Sequence, residues 1–311
     1  MTILVAASFD ADEWAAWWPQ LQAALPGERL VRDRAACDAA EIDVAFAANP
    51  PAGALQGLPS LKLIQSLWAG VDKLLADASV PAPVPLARMV DPAMNATMAE
   101  TVLWAVLSLQ RGFFDYAAQQ RAGEWRQQAL RRAEETTVAV LGLGQMGQCA
   151  AQALARQAYR VIGWSTRDTR VAGVTTSAGA AALPRVLAGA DVVVNLLPLT
   201  PTTRGLFNRD TLAILPRGAS LVNLARGAHV VEADLLDALA SGQLARAVLD
   251  VFHTEPLPAG HAFWSHPRVT VLPHVAAPTD PRSAAPIAAA NVRALRDGRP
   301  LAHLVDRARG Y

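Results

Sequence analysis

The chain has 311 residues, with 28 Lys and Arg against 27 Asp and Glu, and this near-neutral balance argues against nucleic acid or a membrane surface as a partner. A hydrophobic content of 52% indicates compact domains with sizeable cores. The chain has two distant cysteines, Cys37 and Cys149, and its N-terminal stretch lacks a basic region and is interrupted by Asp10, which together predict a cytoplasmic protein without a disulfide framework or signal peptide.

Apolar runs alternate with helix-forming stretches along the first third of the chain. We predict strands over residues 3–7, 44–47 and 62–67 and a helix over 10–25, a pattern typical of βαβ units with a parallel sheet. The third strand leads into a loop at the sheet edge where such folds bind ligands, formed by Trp68, Ala69, Gly70 and Val71. Backbone N–H groups there are candidates for holding a substrate carboxylate, although Gly70 also fits a simple turn.

A long helix is predicted over residues 95–109, because its apolar residues follow the spacing of one helix face. Aromatic side chains accompany it: Trp104, Phe113, Phe114, Tyr116 and Trp125. This density outside an obvious core predicts a subunit contact, and with it a homodimer, although the rings also fit packing within one chain.

The chain is organised around a glycine-rich turn between two predicted strands, 137–141 and 159–164. The turn consists of Gly142, Leu143, Gly144, Gln145, Met146 and Gly147, and a helix is predicted over 148–157. The first glycine permits the tight turn, the second lets the backbone approach a pyrophosphate, and the third allows helix and strand to pack closely. The helix N-terminus adds free N–H groups and a positive dipole end. This unit predicts dinucleotide binding rather than a purely structural turn.

The residues after the second strand indicate which dinucleotide binds. An NAD site usually places an acidic residue about 20 positions after the first glycine, to bind the ribose 2′-hydroxyl. Here the strand ends in Ser165, Thr166 and Arg167, two hydroxyls and a guanidinium that suit a 2′-phosphate, with Arg170 as a second candidate cation. NADPH is therefore the predicted cofactor. The nearby Asp168 and a merely solvated Arg167 are consistent with NADH, which is less favoured.

Further strands are predicted over residues 191–197, 219–224, 245–251 and 269–272, and helices over 233–240 and 283–297. With the glycine turn they predict an α/β fold with a doubly wound parallel sheet. The exits of the first two strands are expected near the cofactor, and the contact residues predicted there are Leu197, Pro198, Leu199, Thr202, Leu224 and Ala225.

Three consecutive strand exits carry Arg226, Glu255 and His274, and in an open α/β sheet such exits face one crevice. Arginine grips a carboxylate and polarises a carbonyl, and histidine transfers a proton near neutral pH. A carboxylate bonded to the other ring nitrogen fixes the tautomer of the histidine. Beside a nicotinamide, this set fits the reduction of a 2-keto acid. Each residue also has a structural interpretation: Arg226 as an ion-pair partner, Glu255 as a cap and His274 as a satisfied interior histidine.

Three more histidines, His253, His261 and His266, lie in the same region of the sequence. Their spacing matches no common zinc pattern, and neither cysteine is near them. We therefore predict no metal site and expect these histidines to be structural or peripheral.

Several motifs together resemble the D-isomer-specific 2-hydroxyacid dehydrogenases over essentially the whole chain: LGLGQMG, LLPLTPTTRG, NLARG, DVFHTEPLP, HPRVTVLPHVAAPT and the ending VDRARGY. That ending and WAGVDKLL are most similar to the glyoxylate/hydroxypyruvate reductase A branch of the family. The resemblance implies that Arg226, Glu255 and His274 are catalytic, with Arg226 and His274 contacting the substrate. It also implies that Asp250 and His274 lie against the nicotinamide, with Asp250 holding its carboxamide.

The resemblance further implies two Rossmann-like domains. A discontinuous substrate-binding domain is expected over 1–98 and 284–311, and a dinucleotide-binding domain, which forms the dimer, over 99–283. The backbone of Ala69, Gly70 and Val71 is expected to bind the substrate carboxylate. Trp68 and residues 94–99 depart from the branch, and both positions bear on pocket size.

The predicted activity is NADPH-dependent reduction of glyoxylate to glycolate and of hydroxypyruvate to glycerate, with His274 as the proton donor. One alternative keeps the chemistry and enlarges the substrate to a branched or aromatic 2-keto acid. Another is a binding protein that senses NAD(P) without turnover. The intact set of Arg226, Glu255 and His274 argues against the second alternative, because a sensor needs no proton donor.

Overall fold

The computed structural model describes residues 1–129 and 131–311. The chain forms two compact units: a first unit of Met1–Met94 with Thr279–Tyr311, and a second unit of Asn95–Pro278. Each unit contains one sheet of parallel strands flanked by helices. The predicted fold class, two Rossmann-like α/β domains of which one is discontinuous, is confirmed. The predicted domain limits, at residues 98 and 283, stay a prediction.

The strands are β1 Thr2–Ala7, β2 Arg29–Val31, β3 Ile42–Ala48, β4 Leu63–Ser66, β5 Leu86–Ala87, β6 Thr137–Leu141, β7 Arg160–Ser165, β8 Thr175–Ala178, β9 Val192–Asn195, β10 Ala219–Asn223, β11 Leu244–Leu249 and β12 Val269–Val271. The α-helices are α1 Ala11–Ala24, α2 Asp72–Ala76, α3 Pro92–Gln110, α4 Phe113–Ala122, α5 Gln145–Arg156, α6 Leu183–Ala188, α7 Arg209–Ile214, α8 Glu232–Ala240 and α9 Pro281–Arg296. In the part of the chain covered by these assignments, no helix has both the length and the apolar character needed to cross a membrane.

The sheet of the first unit has the strand order β2-β1-β3-β4-β5. Its central strand β3 is buried along its whole length, as expected for a parallel strand covered on both faces. Helix α9, from the C-terminal segment, packs beside α1 and reaches β4 through a bond of 2.7 Å from Asn291 Nδ2 to Gln65 Oε1. The C-terminal segment is therefore an integral part of this unit.

The sheet of the second unit has the order β12-β11-β10-β9-β6-β7-β8. The chain runs from β6 outward to β8 and then returns to β9 on the other side of β6. This reversal opens a crevice at the carboxyl ends of β6 and β9, where ligands bind in such sheets. The glycine-rich turn follows β6, and the exits of β9, β10, β11 and β12 lie side by side along the same edge.

Two helices begin three residues earlier than the sequence predicts. Helix α3 starts at Pro92 rather than at residue 95, because proline is tolerated in a first turn and the Asp91 carboxylate caps it, accepting from the Ala93 N–H at 2.9 Å. Helix α5 starts at Gln145 rather than at 148, so Gly147 belongs to its first turn. In both cases a residue type that usually interrupts helices is accommodated at the helix start.

Several short elements were not predicted from the sequence: β2, β5, β8, α2, α4, α6 and α7. Strand β8 is a partly exposed edge strand of small and polar residues, so it carries no apolar run. Helix α4 stands between Gly112 and Gly123, which both adopt left-handed backbone angles and separate it from its surroundings. Elements of this kind depend on tertiary contacts more than on periodicity.

Candidate active site

The glycine-rich turn has the geometry of a phosphate-binding turn. Gly142 has a φ of +99°, and a Cβ there would lie 2.7 Å from the Leu196 carbonyl oxygen. A Cβ on Gly147 would lie 1.8 Å from the Gly142 oxygen, so α5 packs directly on the turn. Gly144, by contrast, faces open space and caps α5 without a side-chain hydrogen bond. The first N–H groups of α5 are thus available for an anion, and the turn fits a dinucleotide pyrophosphate.

The loop after β7 presents a cation where the 2′-position of a bound ribose is expected. Ser165 Oγ donates to the Arg167 carbonyl oxygen at 2.6 Å and shapes the loop. Thr166, Arg167 and Asp168 are exposed. Across residues 1–129 and 131–311, the Arg167 guanidinium makes no hydrogen bond or ion pair, so Asp168 does not neutralise it. This arrangement fits a 2′-phosphate better than a bare 2′-hydroxyl.

The exits of β9 and β10 form two adjacent loops. In the first, Thr203 Oγ1 donates to the Pro198 oxygen at 2.8 Å and accepts from the Thr200 N–H at 2.8 Å, which makes the loop compact. Thr202 is exposed, and Leu197 is buried. In the second loop, Leu224 and Ala225 are buried. Both loops start at the crevice edge, and their contact with a cofactor stays a prediction.

His274 and Glu255 meet as a pair. The distance from His274 Nδ1 to Glu255 Oε2 is 2.8 Å, and Glu255 Oε1 accepts from the Phe252 N–H at 2.9 Å. The side chain of His274 is 52% exposed, and that of Glu255 is 33% exposed. Because the carboxylate is hydrogen-bonded to Nδ1, Nε2 is the ring nitrogen that can transfer a proton to a ligand.

Asp250 builds the loop that carries His274. Its carbonyl accepts from the His274 N–H at 2.9 Å, and its carboxylate accepts from Val275 N–H at 2.7 Å and Ala276 N–H at 3.0 Å. These bonds hold His274 in a left-handed conformation with φ of 55°. Burial raises the pKa of the Asp250 carboxyl above its ordinary value, and the two N–H donors oppose that shift. Sequence reasoning missed this structural role. The predicted contact with the carboxamide stays a prediction.

Arg226 belongs to the same set of loops. Its Nη1 donates to the Ala225 oxygen at 2.7 Å. A Cβ on the next residue, Gly227, would lie 2.0 Å from the Phe252 carbonyl carbon, so the Arg226 turn packs directly on the segment that holds Glu255. The structure thus joins the loops of Arg226, Glu255 and His274 through short backbone contacts within the second unit.

The predicted carboxylate-binding loop lies in the first unit, at the exit of β4. The Trp68 ring packs on Phe9 and Trp17, with centroids 6.1 and 5.8 Å away. Its backbone is held by Ser66 Oγ and by the Met89 N–H, which donates to the Trp68 oxygen at 3.1 Å. The residues that follow are half-buried or buried: Ala69, Gly70 and Val71. Substrate contact by this loop stays a prediction.

The three additional histidines make contacts with the protein itself. His253 Nε2 lies 2.8 Å from the Val230 oxygen, and His261 Nε2 lies 3.3 Å from Glu232 Oε2. His266 Nδ1 accepts from the Arg268 N–H at 3.2 Å. Leaving aside residue 130, no three His, Cys, Asp or Glu residues are grouped so as to hold a metal ion.

Three buried polar residues beneath this site were not singled out from the sequence. Asn195 and Asn223 end strands β9 and β10, and His229 follows the Arg226 turn. All three are fully buried. The sequence did contain one signal for this group, because an asparagine ends each of the two apolar strands. A buried amide requires hydrogen-bond partners, so an asparagine in that position indicates other polar groups beside it.

Residues 103–276 match the model of the D-isomer specific 2-hydroxyacid dehydrogenase family, NAD binding domain. The chain is 42% identical over 308 residues to a Serratia proteamaculans protein named glyoxylate/hydroxypyruvate reductase A, covering 97% of each chain.

Two crystal structures are similar over nearly the full length. The chain is 43% identical to a D-isomer specific 2-hydroxyacid dehydrogenase from Xanthobacter autotrophicus Py2 in complex with NADPH and MES, with a TM-score of 0.94 and coverage of 100% and 99%. It is 36% identical to the NADPH-dependent glyoxylate/hydroxypyruvate reductase of Sinorhizobium meliloti in complex with NADP and sulfate, with a TM-score of 0.93 and the same coverage. The predicted resemblance is confirmed: the chain belongs to the D-isomer specific 2-hydroxyacid dehydrogenase family.

Proposed function

We propose that this protein reduces small 2-keto acids with NADPH, converting glyoxylate to glycolate and hydroxypyruvate to glycerate. The observation that carries the proposal is the His274–Glu255 pair, 2.8 Å apart, in the unit that also holds the glycine-rich turn. The names of the Serratia and Sinorhizobium proteins support the substrates, and the bound NADPH and NADP of the two crystal structures support the cofactor.

The side chains divide the chemistry among them. NADPH supplies the hydride that reaches C2 of the keto acid. Arg226 holds the carboxylate and the carbonyl oxygen, and its charge stabilises the negative charge that develops there. His274 donates a proton from Nε2 to that oxygen. Glu255 orients the ring through Nδ1 and stabilises the imidazolium before transfer. The products are the 2-hydroxy acid, the oxidised cofactor and a neutral His274.

The cofactor contacts follow from the same edge of the sheet. The turn from Gly142 to Gly147 holds the pyrophosphate, an assignment supported by the open space beside Gly144. Ser165, Thr166 and Arg167 hold the 2′-phosphate, supported by the unneutralised guanidinium. The remaining contacts are Leu197, Pro198, Leu199, Thr202, Leu224, Ala225, Asp250 and His274.

The first unit supplies the substrate-binding domain in this proposal, with Ala69, Gly70 and Val71 binding the carboxylate. The protein is a cytoplasmic homodimer that associates through the second unit. Exposed aromatic side chains there support association, because Trp104, Phe113 and Trp125 are 41%, 45% and 95% exposed. Sedimentation equilibrium measures the assembly state directly, and a monomer at micromolar concentration would contradict the homodimer.

A substrate panel tests the reaction. Oxidation of NADPH and of NADH is followed with glyoxylate, hydroxypyruvate, pyruvate and phenylpyruvate. We expect the highest kcat/KM with glyoxylate or hydroxypyruvate and NADPH. Preference for phenylpyruvate would assign the larger-substrate alternative, and binding of NADPH without turnover of any keto acid would overturn the reductase function.

A further inference from the structure

A buried polar network lies beneath the exits of β9 and β10. It consists of Asn195, Asn223 and His229, each with an exposed fraction of 0%. None of them takes part in the reaction described above. Burying three polar side chains costs stability unless every polar atom is hydrogen-bonded. The hydrogen bonds of this network therefore show which backbone segments it holds in place.

The backbone sets the direction of each bond. The Leu197 N–H donates to Asn195 Oδ1 at 3.2 Å, so Asn195 Nδ2 is the atom that faces the other two side chains. Nδ2 lies 2.9 Å from Asn223 Oδ1 and 2.9 Å from His229 Nδ1. His229 Nδ1 is therefore an acceptor, and the ring proton sits on Nε2, which lies 3.3 Å from the Pro198 carbonyl oxygen. One neutral tautomer satisfies all these partners.

The network ends on Arg226. Asn223 Nδ2 donates to the Arg226 oxygen at 2.9 Å, and the backbone N–H of His229 donates to the same oxygen at 3.2 Å. Asn223 Oδ1 also accepts from the Ala225 N–H at 3.3 Å. The carbonyl of Arg226 is thus held by two donors, and both belong to residues of the network.

We propose that His229 is a positioning residue for Arg226. Its ring connects the β9 exit, at Pro198, with the turn that carries Arg226, through Asn195 and Asn223. The inference rests on the proposed function, in which the Arg226 guanidinium grips the substrate. Removing the ring deprives Asn195 Nδ2 and the Pro198 oxygen of a partner and releases the turn. A guanidinium displaced by a fraction of an ångström then stabilises the transition state less well.

The test is a double-mutant cycle between His229 and Arg226, with glyoxylate and NADPH. We expect His229→Leu to lower kcat/KM roughly tenfold to a hundredfold while the Kd for NADPH changes little. The thermal midpoint should fall as well, because Asn195 Nδ2 and the Pro198 oxygen each lose a buried partner. In an Arg226→Ala background, measured at high enzyme concentration, His229→Leu should cause no further loss, because the group it positions is gone. His261→Leu, a histidine bonded to Glu232, is the matched control and should keep kcat/KM.

Two conservative variants complete the experiment if the leucine variant does not fold. His229→Asn keeps an acceptor towards Asn195, and His229→Gln extends an amide towards Pro198. Each should retain more kcat/KM than the leucine variant and show the same non-additivity with Arg226→Ala. Equal losses in both backgrounds, or unchanged kcat/KM in every His229 variant, would overturn the positioning role. A wild-type protein without turnover would instead overturn the proposed function, and the positioning role with it.

Discussion

The proton of His274 is the smallest feature on which the proposed chemistry depends. Glu255 lies 2.8 Å from Nδ1, and its second oxygen is anchored by the Phe252 N–H. An anchored carboxylate on one ring nitrogen leaves the other as the donor to a ligand. The Asp250 carboxylate fixes the backbone of the loop that carries His274. The His274 ring is therefore oriented both by its own backbone and by the hydrogen bond to Glu255.

His274→Ala should therefore lower kcat by about 10²–10⁴. The Kd for NADPH should change far less, because His274 is only one of many proposed contacts of the cofactor. Glu255→Gln should cause a smaller loss, because the ring survives but its orientation and the stabilisation of the imidazolium weaken. Steady-state kinetics and fluorescence titration of NADPH give both quantities. His266→Ala removes a peripheral histidine and serves as the control. A His274→Ala enzyme of normal kcat would contradict the assignment of the proton donor.

In the proposed site, we expect Arg167 to determine the preference for NADPH over NADH. Arg167→Ala should weaken NADPH binding by roughly tenfold or more, since a charge-assisted hydrogen bond contributes about 1.5–3 kcal/mol, and should leave NADH nearly unchanged. Isothermal titration with both cofactors measures the difference. Arg185→Ala, which removes an exposed arginine of helix α6, controls for the change in net charge. Equal weakening of both cofactors would contradict the 2′-phosphate assignment.

At the level of elements, the glycine-rich turn joins β6 to α5, and the space around Gly147 differs from the space around Gly144. Gly147 has no room for a methyl group, because a Cβ would lie 1.8 Å from the Gly142 oxygen. Gly144 has room in the protein alone, since a Cβ there would meet no heavy atom within 4 Å beyond its own chain neighbours. Gly147 therefore serves packing, and Gly144 leaves space for a ligand.

Alanine substitutions at these two positions should separate packing from binding. Gly147→Ala should destabilise the protein by about 1–3 kcal/mol through overpacking, and it should lower the thermal midpoint. Gly144→Ala should leave the midpoint nearly unchanged and weaken NADPH, because the new methyl group occupies the side from which a pyrophosphate approaches. Thermal unfolding without cofactor and titration with NADPH test the pair. An unchanged thermal midpoint in Gly147→Ala would contradict its packing role. Full NADPH affinity in Gly144→Ala would contradict the role of Gly144 in leaving space for the ligand.

At the level of the whole molecule, an ion cluster closes the discontinuous first unit. Arg296 of the C-terminal helix α9 pairs with Glu28 at 2.8 Å and with Asp43, whose side chain is 4% exposed. The hydrogen bond from Arg296, opposed by burial, lowers the pKa of the Glu28 carboxyl below its ordinary value of 4.5. The cluster thus connects segments more than 250 positions apart in the sequence.

The lowered pKa of Glu28 makes this connection sensitive to acid. A carboxyl whose pKa is lower in the folded state stabilises the fold fully above about pH 4.5, its ordinary pKa. This stabilisation is lost as the pH falls through the pKa of the folded state. Glu28→Gln should reduce this part of the acid dependence, and Arg296→Met should destabilise the fold by about 3 kcal/mol because it leaves Asp43 buried without its cation. Urea unfolding between pH 3 and 7 measures both. An unchanged pH dependence in Glu28→Gln would contradict the role of this pair.

Much of the fold could be predicted from local patterns. Buried parallel strands such as β3, β6 and β10 are rich in apolar residues, and their order along the chain predicts an α/β sheet. Strand β8 and helices α6 and α7 could not be predicted in this way, because they are short and their stability comes from neighbouring elements.

The sequence by itself determined the dinucleotide turn, the cation after β7 and the residue types of the site, because each depends on spacing within one βα unit or on one side chain at a strand exit. Only the tertiary structure decided which groups meet. The Glu255–His274 pair, the carboxylate of Asp250 beneath the His274 loop and the network of Asn195, Asn223 and His229 join residues at the ends of different strands or in the loops that follow them. Their contacts arise from the order of strands in the sheet, which brings neighbouring exits together wherever they stand in the sequence.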